Sequence, residues 1–478
     1  MGESVKVDEY EVFSKSPVRY HKVFSDITEY EGGKHLYFGQ WMWVRDTATG
    51  ELHQAYVMIL DDGKIIIPKS DASKKTGMPA WDELEAVGVR FRSVPLDKPD
   101  PRFSTSLLEW VRGSESNPDE TECFDLCRNA YEAYIDFSNP LDSTILALYT
   151  VQTYLLPVWN TIGYIAITGI KRSGKSKTLA IAEQLCFNAV NTVSITASSL
   201  FRIIDERNAT LLIDEADFTS PEKKGDIRDL LLKGYQRGAT VQRTEKIGDR
   251  NVVRFFDAFG GKIIVARRGE MEPKLWDRVI PINLQRTRNP VKTRKAINPD
   301  DFVWQDIRDH LALFALKHWR EVEKAYRKIA NEVEMEAREF EKWAPLLTLA
   351  KFFGVFEEVY KYALEKAEEI ATTEKSEEPE IKLLRVCLAM IRDKTLENIQ
   401  GPQYFSASEI SDYAKTLMGK ESWMAPSTIG RMLTGIFALN RKPWKIVKAG
   451  KPHYLLDKDY LAKLAVKYDV NPENPLEE

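Results

Sequence analysis

The chain has 478 residues, of which 43% are apolar, and a net charge of −4. This composition excludes a largely disordered chain, a collagen-like repeat and a polycation that binds nucleic acid over its whole surface. The four cysteines show no metal-ligand spacing, so neither a disulfide scaffold nor a structural zinc site is expected. The first ten residues lack a basic start and an apolar stretch, so we expect no signal peptide and a cytoplasmic protein.

Residues 1–115 are predicted to form a β-rich domain for docking or oligomerisation. The runs HLYFGQWMWVRD, AYVMIL and KIIIP are rich in aromatic and β-branched residues, and Thr49-Gly50 and Asp62-Gly63 separate them as turns. A short amphipathic segment is expected at 104–111. This part of the sequence shows no carboxylate pair and no metal-ligand cluster, so we place no chemistry in it.

Residues 119–300 are predicted to form an α/β core with a helical lead-in. Two helices, at 119–137 and 141–156, precede five short apolar runs: YIAIT, TVSIT, ATLLI, KIIVA and RVIPINL. Apolar runs of this length, alternating with helical or loop segments, indicate the buried strands of a parallel five-stranded sheet.

One stretch of this core resembles a membrane span in length. Residues 143–170 contain no Asp, Glu, Lys or Arg and are long enough to cross a bilayer. Polar and helix-breaking residues interrupt the stretch, among them Gln152, Pro157 and Gly163. We therefore expect a buried helix, a turn and a buried strand, and no membrane association.

The sequence GIKRSGKS at 169–176 matches the phosphate-loop pattern G-x-x-x-x-G-K-[ST] between a strand and a helix. In that context backbone N–H groups wrap a phosphate, Lys175 reaches the β- and γ-phosphate oxygens, and Ser176 ligates Mg²⁺. ATP and Mg²⁺ are therefore the expected cofactors. The predicted nucleotide-binding residues are Gly169, Ser173, Gly174, Lys175, Ser176 and Lys177.

An acidic pair follows the apolar run LLI, and its aspartate lies 39 residues after Lys175. Asp214 is expected to hold Mg²⁺ through water, together with Ser176, and Glu215 to polarise the attacking water. The alternatives are a solvated acidic cap on a strand and a kinase that acts on a small acceptor.

A charged segment at 238–255 is predicted to form a hairpin with arms ATVQRT and NVVRFF. Its basic residues Arg243, Lys246 and Arg250 are candidates for gripping nucleic-acid phosphates. An ordinary solvated hairpin is the alternative.

The sequence LWDRVIPINL places Arg278 just before the last core strand. A basic residue there can reach the γ-phosphate of a neighbouring subunit as an arginine finger. Arg267 and Arg268 are rival candidates. The alternative for Arg278 is an ion pair within its own subunit.

The C-terminal part is predicted to contain a helical segment at 301–375, a solvated linker at 371–380, a winged helix-turn-helix at 380–462 and a tail at 463–478. Between residues 426 and 456 there are six basic residues and no acidic one, which is typical of a phosphate-binding surface. A protein-interaction module is the alternative. The basic residues are Arg431, Arg441, Lys442, Lys445, Lys448 and Lys451.

These motifs resemble the AAA+-like ATPase domains of plasmid-, phage- and archaeon-borne helicases that often accompany primases, related in style to superfamily 3 helicases. The resemblance covers roughly 140–290 and rests on ILALYTVQTYLLPVW, SITASSLFRIIDERNATLLIDEAD and LWDRVIPINLQR. It implies ATPase roles for the residues at the family's motif positions, which are Lys175, Ser176, Asp214, Glu215 and Arg278.

Two classes of function are expected from these residues and this resemblance. The first is an ATP-hydrolysing DNA motor, a hexameric ring helicase or translocase acting on single-stranded or forked DNA, with a primase or another replication protein as a partner. The second is an ATP-gated DNA-binding initiator, loader or regulator that uses nucleotide as an assembly switch.

Overall fold

The chain divides into two compact units, Met1–Leu364 and Glu365–Glu478. Each unit is described by itself. The computed structural model describes residues 4–7, 10–13, 24–30, 33–67, 102–113, 117–191, 201–205, 208–214, 221–247, 250–266, 273–287, 289–377, 379–396, 403–419, 424–435, 437–439, 443–467, 470–472 and 475.

An antiparallel sheet begins the first unit. The whole of β5 pairs with residues 37–45 of the longer strand β4, and β6 continues the meander predicted from the sequence. Tyr37, Trp41 and Tyr56 pack on one side of it as a small core. Three further strands, β1, β2 and β3, were not predicted. The bounds are β1 Ser4–Val7, β2 Tyr10–Phe13, β3 Phe24–Tyr30, β4 Gly33–Asp46, β5 Leu52–Leu60 and β6 Ile65–Ile66.

Three helices lead from this sheet to the core: α1 (Thr105–Val111), α2 (Glu122–Tyr134) and α3 (Leu141–Tyr154). Ser104 caps α1, because its side chain accepts a hydrogen bond from the backbone of Ser106. Every residue of α3 after the first is buried, which confirms that its apolar surface faces protein. Among the described residues, no helix combines the length and the hydropathy needed to cross a bilayer.

The core is a five-stranded, all-parallel sheet with helices, as predicted. Its strand order is β13-β7-β12-β9-β8, so the first strand in sequence, β7, lies between β13 and β12. The predicted run TVSIT lies outside the described residues, and the edge strand β8 ends just before it. The bounds are β7 Tyr164–Gly169, β8 Val190–Asn191, β9 Leu211–Ile213, β12 Lys262–Val265 and β13 Val279–Leu284.

Helices and a two-stranded hairpin connect these strands. The helix α4 (Lys175–Leu185) follows β7, and α5 (Pro221–Lys233) precedes the predicted hairpin of β10 (Thr240–Ile247) and β11 (Arg250–Asp257). The short helices α6 (Pro273–Trp276) and α7 (Pro290–Arg294) flank β13.

Long helices follow the core: α8 (Phe302–Ile329), α9 (Ala337–Phe352) and α10 (Phe356–Glu377). The prediction of a solvated linker at 371–380 is wrong, because α10 continues through 371–377 and the next helix begins at Pro379. The segment is polar, but its Ala, Glu and Lys residues are good helix formers, and polarity does not prevent an exposed helix.

The second unit contains helices and a three-stranded antiparallel sheet in the order β14-β16-β15. The predicted pair of helices and the hairpin are present, but the strand β14 and the final helix were not predicted. The bounds are α11 Pro379–Leu396, β14 Tyr404–Ser406, α12 Ala407–Met418, α13 Pro426–Gly435, β15 Lys445–Lys448, β16 Lys451–Leu455 and α14 Lys458–Lys467.

Candidate nucleotide site and basic surfaces

The phosphate loop (169–176) joins the end of β7 to the start of α4. Gly169 and Gly174 have φ angles of +142° and +103°, which L side chains rarely adopt. A Cβ on Gly169 would also collide with the carbonyl oxygen of Leu284, on the neighbouring strand. The two glycines of the motif are therefore required by the backbone path itself.

The start of α4 leaves hydrogen-bond donors for an anion. Gly174 is the N-cap residue, and no side chain caps the first backbone N–H groups of the helix. The first N–H groups of a helix have no acceptor within it, and the helix dipole favours negative charge at this end. The hydroxyl of Ser173 is buried and has no hydrogen-bond partner in the described part of the chain. These donors fit a phosphate group.

The ammonium of Lys175 lies over the same loop. Its Nζ donates to the carbonyl oxygens of Gly169, at 2.7 Å, and Ile170, at 3.3 Å. An ammonium has three N–H donors, so one remains for an oxygen of a bound phosphate. Ser176 lies one residue further along the helix and is exposed.

The strand register brings Asp214 to the same edge of the sheet. Ile213 is level with Ile264, and Ile264 is level with Ala166 on the strand that enters the phosphate loop. Asp214 directly follows Ile213 and is half-buried. Two strand spacings separate β9 from β7, so the backbone of Asp214 lies about 10 Å to the side of β7. Glu215 lies outside the described residues.

Lys177 is held elsewhere. Its Nζ donates to the carbonyl oxygens of Lys292, at 2.8 Å, Thr293, at 3.2 Å, and Lys295, at 2.9 Å. These carbonyls end the short helix α7, which a cation stabilises. The side chain predicted to bind nucleotide therefore serves as a helix cap, and its backbone N–H is what remains available at the start of α4.

Arg278 lies at the opposite edge of the sheet from the phosphate loop. The next residue, Val279, pairs with Tyr164, and five rungs further along Leu284 pairs with Gly169. Arg278 precedes Val279 and is therefore about 20 Å along the strands from the loop of its own chain. Its guanidinium lies 4.8 Å from the ring centre of Tyr235. In the described residues Arg278 forms no ion pair, so the alternative of an intrasubunit salt bridge gains no support.

Arg267 and Arg268, the rival candidates for the arginine finger, lie outside the described residues.

The hairpin of β10 and β11 has a clear register. Arg243 is the Cα partner of Arg254, and Lys246 is the Cα partner of Asn251. The guanidinium of Arg243 lies 4.3 Å from the ring centre of Phe201, so this side chain also stabilises the hairpin against the helical turn at 201–205. For Lys246 and Arg250 the structure describes the backbone alone.

In the second unit, the basic residues lie on α13 and on the hairpin of β15 and β16. Arg431, Lys448 and Lys451 are exposed, and Lys445 is half-buried. Arg441 and Lys442 lie outside the described residues. Lys448 pairs with Lys451 across the two-residue turn Ala449-Gly450, in which both residues have positive φ.

One buried cation near the core was not predicted. Lys262, at the start of β12, is fully buried, and burial lowers its pKa to about 7 although Asp257 opposes the shift. Its position at the head of the apolar run KIIVA is typical of an exposed strand end. The sequence therefore carried no signal of its burial.

No protein-family model and no curated protein sequence matches this chain.

Proposed function

We propose that the protein is an ATP-hydrolysing DNA motor, an oligomeric ring helicase or translocase. The observation that carries the proposal is the phosphate loop, with its uncapped helix N-terminus and positive-φ glycines, at the same sheet edge as Asp214. A loop that wraps phosphate and an aspartate that holds Mg²⁺ are the two parts that nucleotide hydrolysis needs first.

The proposed chemistry assigns a role to each residue at this edge. The backbone N–H groups of the loop and the ammonium of Lys175 bind the β- and γ-phosphates and neutralise the charge that develops on them. Ser176 and Asp214 would hold Mg²⁺, which supplies further neutralisation of that charge. Glu215 would accept a proton from the attacking water.

The position of Arg278 supports a site completed by a second copy of the chain. Because Arg278 lies about 20 Å along the strands from its own phosphate loop, it cannot reach the γ-phosphate bound there. A ring in which each subunit presents this edge to the phosphate loop of the next would use it as an arginine finger. We propose a hexamer on the basis of the family resemblance alone.

The second unit supports the DNA-binding part of the proposal. Its order of helix, strand, two helices and a two-stranded hairpin, with β16 between β14 and β15, is compatible with the proposed winged helix-turn-helix. Arg431 on α13 and the exposed lysines Lys448 and Lys451 at the hairpin turn would contact DNA phosphates.

ATP turnover by purified protein tests the nucleotide site. We expect Lys175→Ala to abolish turnover and Glu215→Gln to retain ATP binding but stop hydrolysis, while Lys351→Ala, an exposed lysine on α9, retains both. Normal hydrolysis by either of the first two variants contradicts the assignment.

Unwinding of a forked DNA substrate, measured beside turnover, separates a motor from an assembly switch, because a switch binds and hydrolyses ATP without unwinding.

A further inference from the structure

The hairpin of β10 and β11 extends away from the rest of the first unit. The two strands pair only with each other among the described strands. At the base of the hairpin, Val241 and Phe256 are buried, and the ring of Phe256 lies 6.4 Å from that of Phe201. Beyond this base, residues 251–255 are all exposed. The hairpin is therefore anchored at its base and open to solvent along most of β11.

Two large apolar side chains are exposed on one face of this hairpin. Phe255 is 60% exposed and Val253 is 54% exposed. Their Cα partners on β10 are Gln242 and Thr244, which are also exposed and too small or too polar to cover a ring. The described residues provide Phe255 with no ring contact. An aromatic ring held in water on a projecting hairpin forgoes the free energy of burial, so it is suited to a binding surface.

The charge on the other face indicates the chemistry of the ligand. Arg243 and Arg254 are direct Cα partners, and their guanidinium groups lie 4.3 Å from the ring centre of Phe201 and 5.5 Å from that of Phe256. Arg254 is exposed and precedes Phe255 in the chain. A ligand that lies across the edge of β11 therefore meets a cation on one face and an aromatic ring on the other. A nucleotide carries the matching pair, a phosphate and a base.

We propose that Phe255 is a stacking platform for an unpaired base of single-stranded DNA, with Arg254 binding an adjoining phosphate. The proposal rests on the proposed function and adds the residues that would contact the base and the phosphate of a single strand. The face of a base is free for stacking on a side chain only where the base is not already stacked in a duplex. A hairpin that reads a base face in this way prefers a single strand to a duplex.

Binding of labelled oligonucleotides, measured by fluorescence anisotropy at one fixed salt concentration, tests the platform. The substrates are a single strand, an abasic single strand of the same length and charge, and a duplex. We expect Phe255→Ala to weaken binding of the normal single strand by about 5- to 150-fold and to leave binding of the abasic strand unchanged, because only the base contact is lost. Phe255→Tyr should bind like the natural protein, and Phe255→Leu like Phe255→Ala.

Phe302→Ala is the matched control, because Phe302 is 71% exposed and lies in the same unit at the start of α8. It should bind all three substrates normally. An equal loss on the normal and abasic strands, or no loss on either, overturns the proposal. A changed oligomeric state in Phe255→Ala with unchanged DNA affinity also overturns it, because the ring would then contact a second copy of the chain.

The outcome distinguishes this proposal from the proposed function. If ATP turnover remains stimulated by DNA while Phe255→Ala and the natural protein bind equally, the platform is wrong and the motor stands. If the natural protein has no ATP turnover but discriminates normal from abasic strands through Phe255, the motor is wrong and the platform stands.

Discussion

The ammonium of Lys262 donates a hydrogen bond to the carbonyl oxygen of Ala258, at 3.1 Å, from full burial. It also donates to Gly234, at 3.1 Å, and to Gly260, at 2.8 Å. Gly234 precedes the hairpin of β10 and β11, and the other two acceptors follow it. Lys262 begins β12, which lies between β7, the strand that enters the phosphate loop, and β9, the strand that Asp214 follows. The side chain of Lys262 thus ties both ends of the hairpin to the strand between the two halves of the candidate nucleotide site.

This burial predicts a pH-dependent stability. Burial lowers the pKa of Lys262 from its ordinary value to about 7, and Asp257 opposes this shift. The ring centre of Tyr164 lies 4.8 Å from Nζ, and the hydroxyl of Tyr149 bonds to the backbone of Lys262. The pKa of Lys262 is lower in the folded state than in the unfolded state. The contribution of this side chain to the free energy of unfolding is therefore fully present above its unfolded pKa. It is lost as the pH falls toward 7, at roughly 1.4 kcal/mol for each pH unit.

Denaturant unfolding at several pH values tests this prediction. The free energy of unfolding of the natural protein, minus that of Lys262→Met, should increase by about 2 to 3 kcal/mol between pH 7 and pH 9. Lys233→Met, which removes an exposed lysine at the end of α5, is the control. The free energy of unfolding of the natural protein minus that of Lys233→Met should not change between pH 7 and pH 9. If the difference for Lys262→Met also does not change with pH, Lys262 keeps its ordinary pKa in the folded state.

Local patterns predicted much of the fold, including the loop between β7 and α4 at which the nucleotide site is proposed. The phosphate loop was found because its glycines, lysine and serine stand at fixed spacing between a strand and a helix, and the five-stranded sheet because its strands are buried on both faces. The roles of Lys262 and Lys177 could not be predicted, because their acceptors are carbonyl groups that tertiary structure brings from distant parts of the chain. The strands β1 to β3 were missed because they are short or mostly polar.

The first glycine of the phosphate loop should not tolerate a side chain. Gly169→Ala places a Cβ against the carbonyl oxygen of Leu284 at a φ of +142°, so the loop must move. We expect a loss of about 1 to 3 kcal/mol in stability, together with a loss of ATP affinity in titration calorimetry. Gly225→Ala, in the helix α5 with open space around it, should retain affinity and gain up to about 1 kcal/mol. Normal ATP affinity in Gly169→Ala would mean that the loop geometry is not needed for binding.

A buried carboxylate joins the first sheet to α8. Asp61 accepts hydrogen bonds from Arg320, at 2.7 Å, from the indole of Trp319 and from the backbone N–H of Leu36, at 3.3 Å, and its other oxygen lies 2.7 Å from His35. Because these donors use both oxygens, the cluster that His35 and Asp61 form with Asp62 is built as a hydrogen-bond junction rather than a cation site.

Asp61→Asn should therefore destabilise the first unit. An amide replaces one acceptor oxygen with a donor, which leaves buried donors unpaired, and we expect a loss of about 1 to 3 kcal/mol in the free energy of unfolding. The adjacent Asp62→Asn is the control, because Asp62 is partly exposed and lies 3.9 Å from His35. Equal stability of the two variants would contradict the assignment of the junction to Asp61.

The start of α12 in the second unit depends on a reciprocal cap. The hydroxyl of Ser406 accepts from the backbone of Glu409, and the carboxylate of Glu409 accepts from the backbone of Ser406, at 2.7 Å. These bonds lower the pKa of Glu409, so their stabilisation is present above the ordinary glutamate pKa and is lost as the pH falls.

We expect Ser406→Ala to lower the stability of α12 by about 1 kcal/mol, seen as faster amide hydrogen exchange in 407–418. Ser427→Ala, at an exposed position of α13, should leave that exchange unchanged. Unchanged exchange in Ser406→Ala at neutral pH would show that α12 does not need the cap, whereas a difference that shrinks on acidification supports the role of Glu409.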